Sequence, residues 1–252
     1  MMEINQVTKK YGDKEVLHEI DYIVTKQKLT AFIGPNGAGK STLLSLMSRL
    51  MDKDTGGIYL EGEEIKTWNQ QELAQKLSIL KQANGVQLKL TVRELVAFGR
   101  FPHSKGRLTA VDKEKIEEAL TYLGLLDLAE ESISTLSGGQ LQRAYIAMVL
   151  AQDTEYIFLD EPLNNLDMNH AVQLMKTIRR LVDEKKKTVI IVLHDINFAA
   201  SYADEIVAMK QGKVFKTGTT DEVITKEVLD ELYDMSIRVC EMEGKRFCLY
   251  FN

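Results

Sequence analysis

No apolar run in this 252-residue chain approaches the ~18 residues that a membrane-crossing helix needs. The chain is therefore expected to dock on a membrane protein rather than to cross a bilayer. Its first residues, Met1-Met2-Glu3-Ile4-Asn5, form no charged-then-apolar leader. The two cysteines, Cys240 and Cys248, lack the spacing with histidines that a metal site shows. They sit on separate strand-like runs, where a disulfide across a hairpin is conceivable. With no sign of an oxidising compartment, both read as reduced, small apolar residues of a cytosolic protein. A basic surplus is also missing: 32 Lys and Arg stand against 37 Asp and Glu, so a partner made of nucleic acid is not expected. The run Lys185-Lys186-Lys187 reads as a solvated turn before a strand rather than as a basic patch. Long linkers, repeats, low-complexity tracts and long heptad segments are all absent.

What is present is enough apolar material for a full core, at 44% of residues, in a length that suits one large domain or a domain with an embedded subdomain. The most informative stretch is Gly34-Pro35-Asn36-Gly37-Ala38-Gly39-Lys40-Ser41-Thr42. It follows the apolar run Leu29 to Ile33 and opens a helical pattern from Thr42 to Leu50. Strand, glycine-rich turn and helix in that order make a phosphate-binding loop. Glycines let backbone N–H groups turn inward as an anion nest, and the helix start adds its positive end. Lys40 can reach the β- and γ-phosphates of a nucleotide, and the Ser41 hydroxyl can ligate Mg²⁺.

Around this loop, Met2 to Gln6 and Val16 to Val24 alternate as half-buried strands do, with Lys9-Lys10-Tyr11-Gly12 between them. Tyr11 either stacks on a base or packs on the sheet. Ile58 to Leu60 and Leu77 to Leu80 read as strands, Gln71 to Lys76 as a short helix, and Gln82 stands just past the second strand. From Thr91 to Leu150 the pattern turns helical throughout: a capped helix from Thr91 with Glu94 completing a capping box, a loop from Phe101 to Thr109, and an amphipathic helix from Val111 to Leu123. This is a helical subdomain inserted into an α/β chain.

The insert ends in Leu136-Ser137-Gly138-Gly139-Gln140 before a helix from Leu141 to Gln152, a second glycine-rich turn at a helix start and so a second anion site by the same physics. Tyr156 to Glu161 is an apolar strand ending in two carboxylates. A buried acid needs a cation or a proton-transfer role, which Mg²⁺ supplies for Asp160 and an activated water supplies for Glu161. Leu166-Asp167 leads into a helix from Met168 to Asp183. Thr188 to Leu193 is another apolar strand with His194-Asp195 at its tip, where the histidine is either structural or a contact for a γ-phosphate. Glu205 to Met209 and Lys213 to Lys216 pair around Gln211-Gly212, Thr220 to Tyr233 gives short helices, and Ile237 to Phe251 a terminal hairpin turning at Glu243-Gly244.

Taken together and in this order, these residues resemble the ATP-binding subunit of ABC transporters over nearly the whole chain. The resemblance implies a P-loop ABC ATPase fold of α/β class: a mixed sheet core, an inserted helical subdomain and an antiparallel β part. Residues 91–150 would form the helical subdomain and residues 1–90 and 151–252 the ATPase core with its C-terminal hairpin. By the same resemblance Tyr11 stacks on adenine, Gly34 to Thr42 are the Walker A loop, Gln82 is the Q-loop, Leu136 to Gln140 the signature, Phe158 to Glu161 the Walker B strand with the catalytic glutamate, Asp167 the D-loop aspartate and His194 the switch histidine. ATP and Mg²⁺ are the implied ligands, with Ser41 and Gln82 on the metal and Asp160 supporting it. The implied partners are membrane permease subunits, a second copy of the chain paired head-to-tail and, indirectly, a substrate-binding lipoprotein, on the cytoplasmic face of the cell membrane. Two stretches, Glu94 to His103 and His194 to Ala199, are similar to iron(III)–siderophore and cobalamin-type importers, and Pro162 to Met168 to a Gram-positive subgroup that includes petrobactin uptake. Other substrates (cobalamin, haem, a metal ion), export, and a non-transport ABC ATPase are the alternatives. The chain departs from the common pattern at Asn164-Asn165, where Ser-Ala is usual, turning a hydroxyl contact across the dimer into an amide contact, and at Lys81, where proline is common.

Overall fold

A computed structural model describes residues 1–81, 89–164 and 166–250. Gln82 and Asn165 lie outside the described residues. The first part of the chain forms β1 (Met2–Tyr11), β2 (Lys14–Val24), β3 (Leu29–Ile33), α1 (Lys40–Met47), β4 (Thr55–Leu60), β5 (Glu63–Glu64), α2 (Gln70–Lys76) and β6 (Leu77–Leu80). Helices follow: α3 (Val92–Phe98), α4 (Phe101–Ser104), α5 (Ala110–Tyr122) and α6 (Gly138–Ala151), with two short 3-10 turns between the last two. The chain then returns to β7 (Tyr156–Asp160), α7 (Met168–Asp183), β8 (Thr188–Val192), α8 (Ile196–Tyr202), β9 (Glu205–Lys210) and β10 (Lys213–Thr219). It closes with α9 (Thr220–Val223), α10 (Lys226–Tyr233), β11 (Arg238–Met242) and β12 (Lys245–Leu249).

Three sheets result: β2-β1-β4-β5, β10-β9-β3-β8-β7-β6, and the terminal hairpin β11-β12. In the six-stranded sheet β6, β7, β8, β3 and β9 run parallel, and β10 is antiparallel at the edge. Strands β3, β7 and β8 are buried on both faces, which is why they read as continuous apolar runs. One face, including Phe32, Phe158 and Ile190, packs on α1 and the antiparallel sheet; the other, including Ala31, Ile157 and Ile191, packs on α7 and the helices α3, α5 and α6. Alternation along each strand thus binds two hydrophobic clusters into one body.

Several boundaries differ from the sequence reading. Lys9–Tyr11 belongs to β1, which bends at register shifts rather than stopping at Gln6. The stretch from Phe101, read as a loop, begins with α4, where Pro102 sits in the first turn. The helix after Ser137 starts at Gly138, three residues before the apolar pattern begins. Cys240 is exposed rather than packed, because it pairs with Phe247 while Cys248 pairs with Val239, so the two sulfurs fall on opposite faces of the hairpin; both are free thiols. Burial pushes the Cys248 thiol up to about 11. Lys185 and Lys187 are engaged in ion pairs with Glu118 and Asp153.

Candidate functional site

Strand order creates the site. Phe32 pairs with Val192, Val192 with Asp160, and Leu159 with Leu80. The carboxyl ends of β3, β8, β7 and β6 therefore line up along one edge, the usual position of ligand chemistry in parallel sheets. Loop Gly34–Gly39, His194, Asp160-Glu161 and Lys81 emerge there side by side.

The loop owes its shape to close approaches that forbid side chains. Gly34 has φ 138°, and a Cβ there would lie 2.0 Å from the Met209 carbonyl oxygen of β9. Gly39, at φ 98°, caps α1, and its Cβ would lie 2.5 Å from Leu17 Cδ2. The turn at Gln211-Gly212 braces the loop from outside: Gly212 N–H donates to the Ala38 carbonyl (3.1 Å) and its own carbonyl accepts from His18 N–H (2.9 Å). The N-cap Gly39 offers no side-chain acceptor and the first turn of α1 contains no acid of its own, so no side chain of the helix caps its first N–H groups. Asn36 and Gly37 form the exposed tip, with Pro35 and Ala38 on either side. Lys40 is buried and its Nζ donates to the carbonyls of Gly34 (2.7 Å) and Pro35 (3.0 Å). Burial holds its pKa below the usual lysine value against the pull of Glu161 and Asp160.

Ser41 Oγ donates to Asp160 Oδ1 at 2.7 Å. Burial pushes the Asp160 carboxyl up, with the Ser41 hydroxyl acting against it. A buried carboxylate beside a hydroxyl, both oxygen donors, fits a hard divalent cation such as Mg²⁺. Among the described residues there is no group of three or more His, Cys, Asp or Glu that could hold a metal ion. Glu161 has φ 52° and a carboxylate with a neighbour at each oxygen: His194 Nε2 lies 2.6 Å from Oε1, and Asn164 Nδ2 donates to Oε2 at 2.7 Å. The His194 side chain remains 43% exposed, so its other edge is open to an incoming group.

The second glycine turn lies elsewhere. Ser137 caps α6 in a full capping box, its Oγ accepting from Gln140 N–H (3.3 Å) and its N–H donating to Gln140 Oε1 (2.8 Å). Gln140's side chain is thus committed to the cap, while Ser137 and Gly138 are exposed. Helix α1 packs in one hydrophobic cluster and α6 in the other, so the two glycine turns of a single chain belong to different parts of the molecule. Asp167 caps α7 and its Oδ2 lies 2.8 Å from His170 Nδ1. The His170 ring in turn packs on Gly139, where a Cβ would come within 2.9 Å of it, so a contact that no spacing in the sequence announced ties the Asp167 turn to the turn before α6. Tyr11 is half exposed at the end of β1, its hydroxyl 3.1 Å from Met51 Sδ. Thr42 lies in the first turn of α1 beside Ser41.

The family description "ABC transporter" matches residues 17–164, more than half of the chain. The chain belongs to the ABC transporter family. Across its whole length, and all of theirs, it is 55% identical to the petrobactin import ATP-binding protein YclP of Bacillus subtilis (strain 168). Identity is 40% to the ferric enterobactin transport ATP-binding protein FepC of Escherichia coli (strain K12), over 94% of this chain and 88% of that protein. The fold matches an ABC transporter in an inward-facing conformation with a TM-score of 0.84 at 24% identity, covering 98% of this chain and 95% of that one. It also matches the MJ0796 cassette bound to ADP and Pi, with a TM-score of 0.76 at 29% identity over 87% and 99% of the chains. Within an ABC transporter, this chain is the ATP-binding part. Among the described residues no helix is long and apolar enough to cross a membrane.

Proposed function

We propose that this ABC protein hydrolyses ATP to energise import of an iron(III)–siderophore through a membrane permease. The observation that carries hydrolysis is the row of Lys40, Ser41, Asp160, Glu161 and His194 along one sheet edge; the cargo class rests on the siderophore importers named above. In this reading the Gly34–Thr42 amides and Lys40 hold the phosphates, and Ser41 and Asp160, with Gln82 from outside the described residues, hold Mg²⁺. When bound, Mg²⁺ offsets phosphate charge, which is most of what phosphoryl transfer needs beyond positioning. Glu161 takes a proton from the attacking water, and the exposed edge of His194 meets the γ-phosphate. Ser137 and Gly138, exposed on the other part of the molecule, complete the site of a second copy paired head-to-tail, with Tyr11 against adenine and Asp167 near the pair axis.

Residues 91–150 act as the subdomain that engages the permease. A groove of about 270 Å³ lined by Leu90, Ala97, Phe98, Phe101 and Leu108 supports this, because Phe98 and Phe101 are 56% and 61% exposed there. Siderophore choice then lies with the permease and a substrate-binding lipoprotein, and the ATPase works at the cytoplasmic face.

Lys40→Ala is expected to weaken ATP binding or hydrolysis severely, read by nucleotide titration and phosphate release. Normal values for both would contradict the loop assignment. For the transport reading, the Glu161→Gln protein would be tagged, held with ATP in detergent-solubilised membranes and its partners identified by mass spectrometry. Recovery of a polytopic permease with a lipoprotein that binds ferric siderophore is the expected result. Recovery of ribosomes, DNA-bound proteins or an exporter subunit would overturn the importer reading and leave the ATPase standing.

A further inference from the structure

We infer that Asn164 is a positioning residue for the Glu161 carboxylate within its own chain. The inference rests on the reading of Glu161 as the base that takes the water's proton. The last torsion of a glutamate side chain is broad and nearly two-fold, so a single hydrogen bond leaves the carboxylate plane free to swing. Here each oxygen has a neighbour: His194 Nε2 lies 2.6 Å from Oε1, and Asn164 Nδ2 donates to Oε2 at 2.7 Å, the one hydrogen bond that fixes the plane from within the turn. An ionised carboxylate only accepts, so the amide's NH₂ must be the group that faces it. Hydrogen bonds to a charged acceptor are the strong kind.

The two neighbours differ in origin. His194 arrives from the tip of β8, a neighbouring strand, and its position depends on how that strand end sits. Asn164 belongs to the same turn as Glu161, and its backbone N–H donates to the Glu161 carbonyl at 3.3 Å. That turn holds Glu161 in left-handed backbone at φ 52°, an uncommon conformation for a residue with a Cβ. Asn164 therefore travels with the base whatever the rest of the site does, and keeps the plane set when His194 turns to a phosphate. A serine here would fall short by about one bond, roughly 1.5 Å, and could not make the contact. The amide thus does a task inside the chain that a hydroxyl at this position cannot. A displacement of about 1 Å at a reacting group is enough to slow chemistry about a hundredfold.

The test compares wild type, Asn164→Ser and Asn164→Leu in steady-state ATP hydrolysis, and compares ATP-driven pairing of the same variants in a Glu161→Gln background by sedimentation. The expected result is a fall in kcat of about tenfold to a hundredfold in both variants, with KM for ATP and the pairing constant unchanged. The serine variant is small and polar enough to keep the turn folded. An unchanged kcat would overturn the inference. So would a pairing constant weakened in proportion to kcat, which would make Asn164 a contact to the second copy. Full turnover by Glu161→Gln itself would remove the base assignment, and the inference with it, independently of what the Asn164 variants do.

Discussion

Glu161→Gln is expected to leave ATP binding intact while turnover falls by about 10²- to 10⁴-fold, the range that a positioned base contributes. Glutamine has the same shape, and it can keep both existing contacts: its amide oxygen can accept from Asn164 Nδ2, and its NH₂ can donate to a neutral His194 Nε2. The geometry seen at 2.6 and 2.7 Å should therefore survive the change, so the loss reports chemistry rather than collapse. Single-turnover phosphate release beside nucleotide titration separates the two. Equal turnover in the variant would take Glu161 out of the base role.

The second large effect concerns stability. Arg100 and Asp112 are 5% and 3% exposed, and Arg100 Nε donates to Asp112 Oδ1 at 2.8 Å. Arg100 Nη1 also donates to the Ala151 carbonyl at 2.8 Å, and Asp112 Oδ2 accepts from Thr109 N–H at 2.9 Å and Thr109 Oγ1 at 2.7 Å. One buried pair thus joins the start of α4, the start of α5 and the end of α6. Arg100→Leu would leave the carboxylate buried without its cation, a loss of about 3–5 kcal/mol. For a chain of this size that is roughly 6–20 °C in melting temperature. Burial alone would push the Asp112 carboxyl up, but Thr109 and the Arg100 guanidinium outweigh it and hold it at about 2, below its ordinary 3.8. A lowered acid contributes stability that is complete above its unfolded pKa and is lost as pH falls through the folded one, here between about 4 and 2. In the variant the carboxyl is expected to move the other way, so the gap between wild type and Arg100→Leu should be widest near neutral pH and narrow on acidification. Thermal melts at several pH values read this. An unshifted melting temperature in Arg100→Leu at neutral pH would contradict it, and Arg100→Leu/Asp112→Leu should recover part of the loss.

What could be read from the sequence was local or periodic. The loop from Gly34 to Thr42 carries its strand, turn and helix in one contiguous stretch, and β7 and β8 announce themselves as apolar runs ending in polar tips. The Thr91 capping box is likewise written in adjacent residues, and the structure contains it. Strand order was not legible, because β8 enters between β3 and β7 through contacts far apart in the chain. Without that order, nothing placed His194 on Glu161. Asn164 read as a departure from a family pattern, since its partner is fixed by the turn geometry at Glu161 rather than by spacing. His170 carried no signal at all, as its contact with Gly139 exists only once α6 and α7 pack. Gln140 reads in the sequence as the end of the Leu136 to Gln140 stretch, and its part in the Ser137 capping box appears once α6 is seen to begin at Gly138. Gln82 falls outside the described residues.

In the proposed head-to-tail pair, the Gly34–Thr42 loop of one copy and the Ser137–Gly139 turn of another close on the same ATP. The structure of the Glu161→Gln protein with ATP and Mg²⁺ decides whether they do. Two copies head-to-tail are expected, with each γ-phosphate between Lys40 of one and Ser137 of the other, and Asn164 still on residue 161 of its own chain. A single copy holding ATP with Ser137 and Gly138 facing solvent, or a pair meeting through any other face, would rule out the shared site.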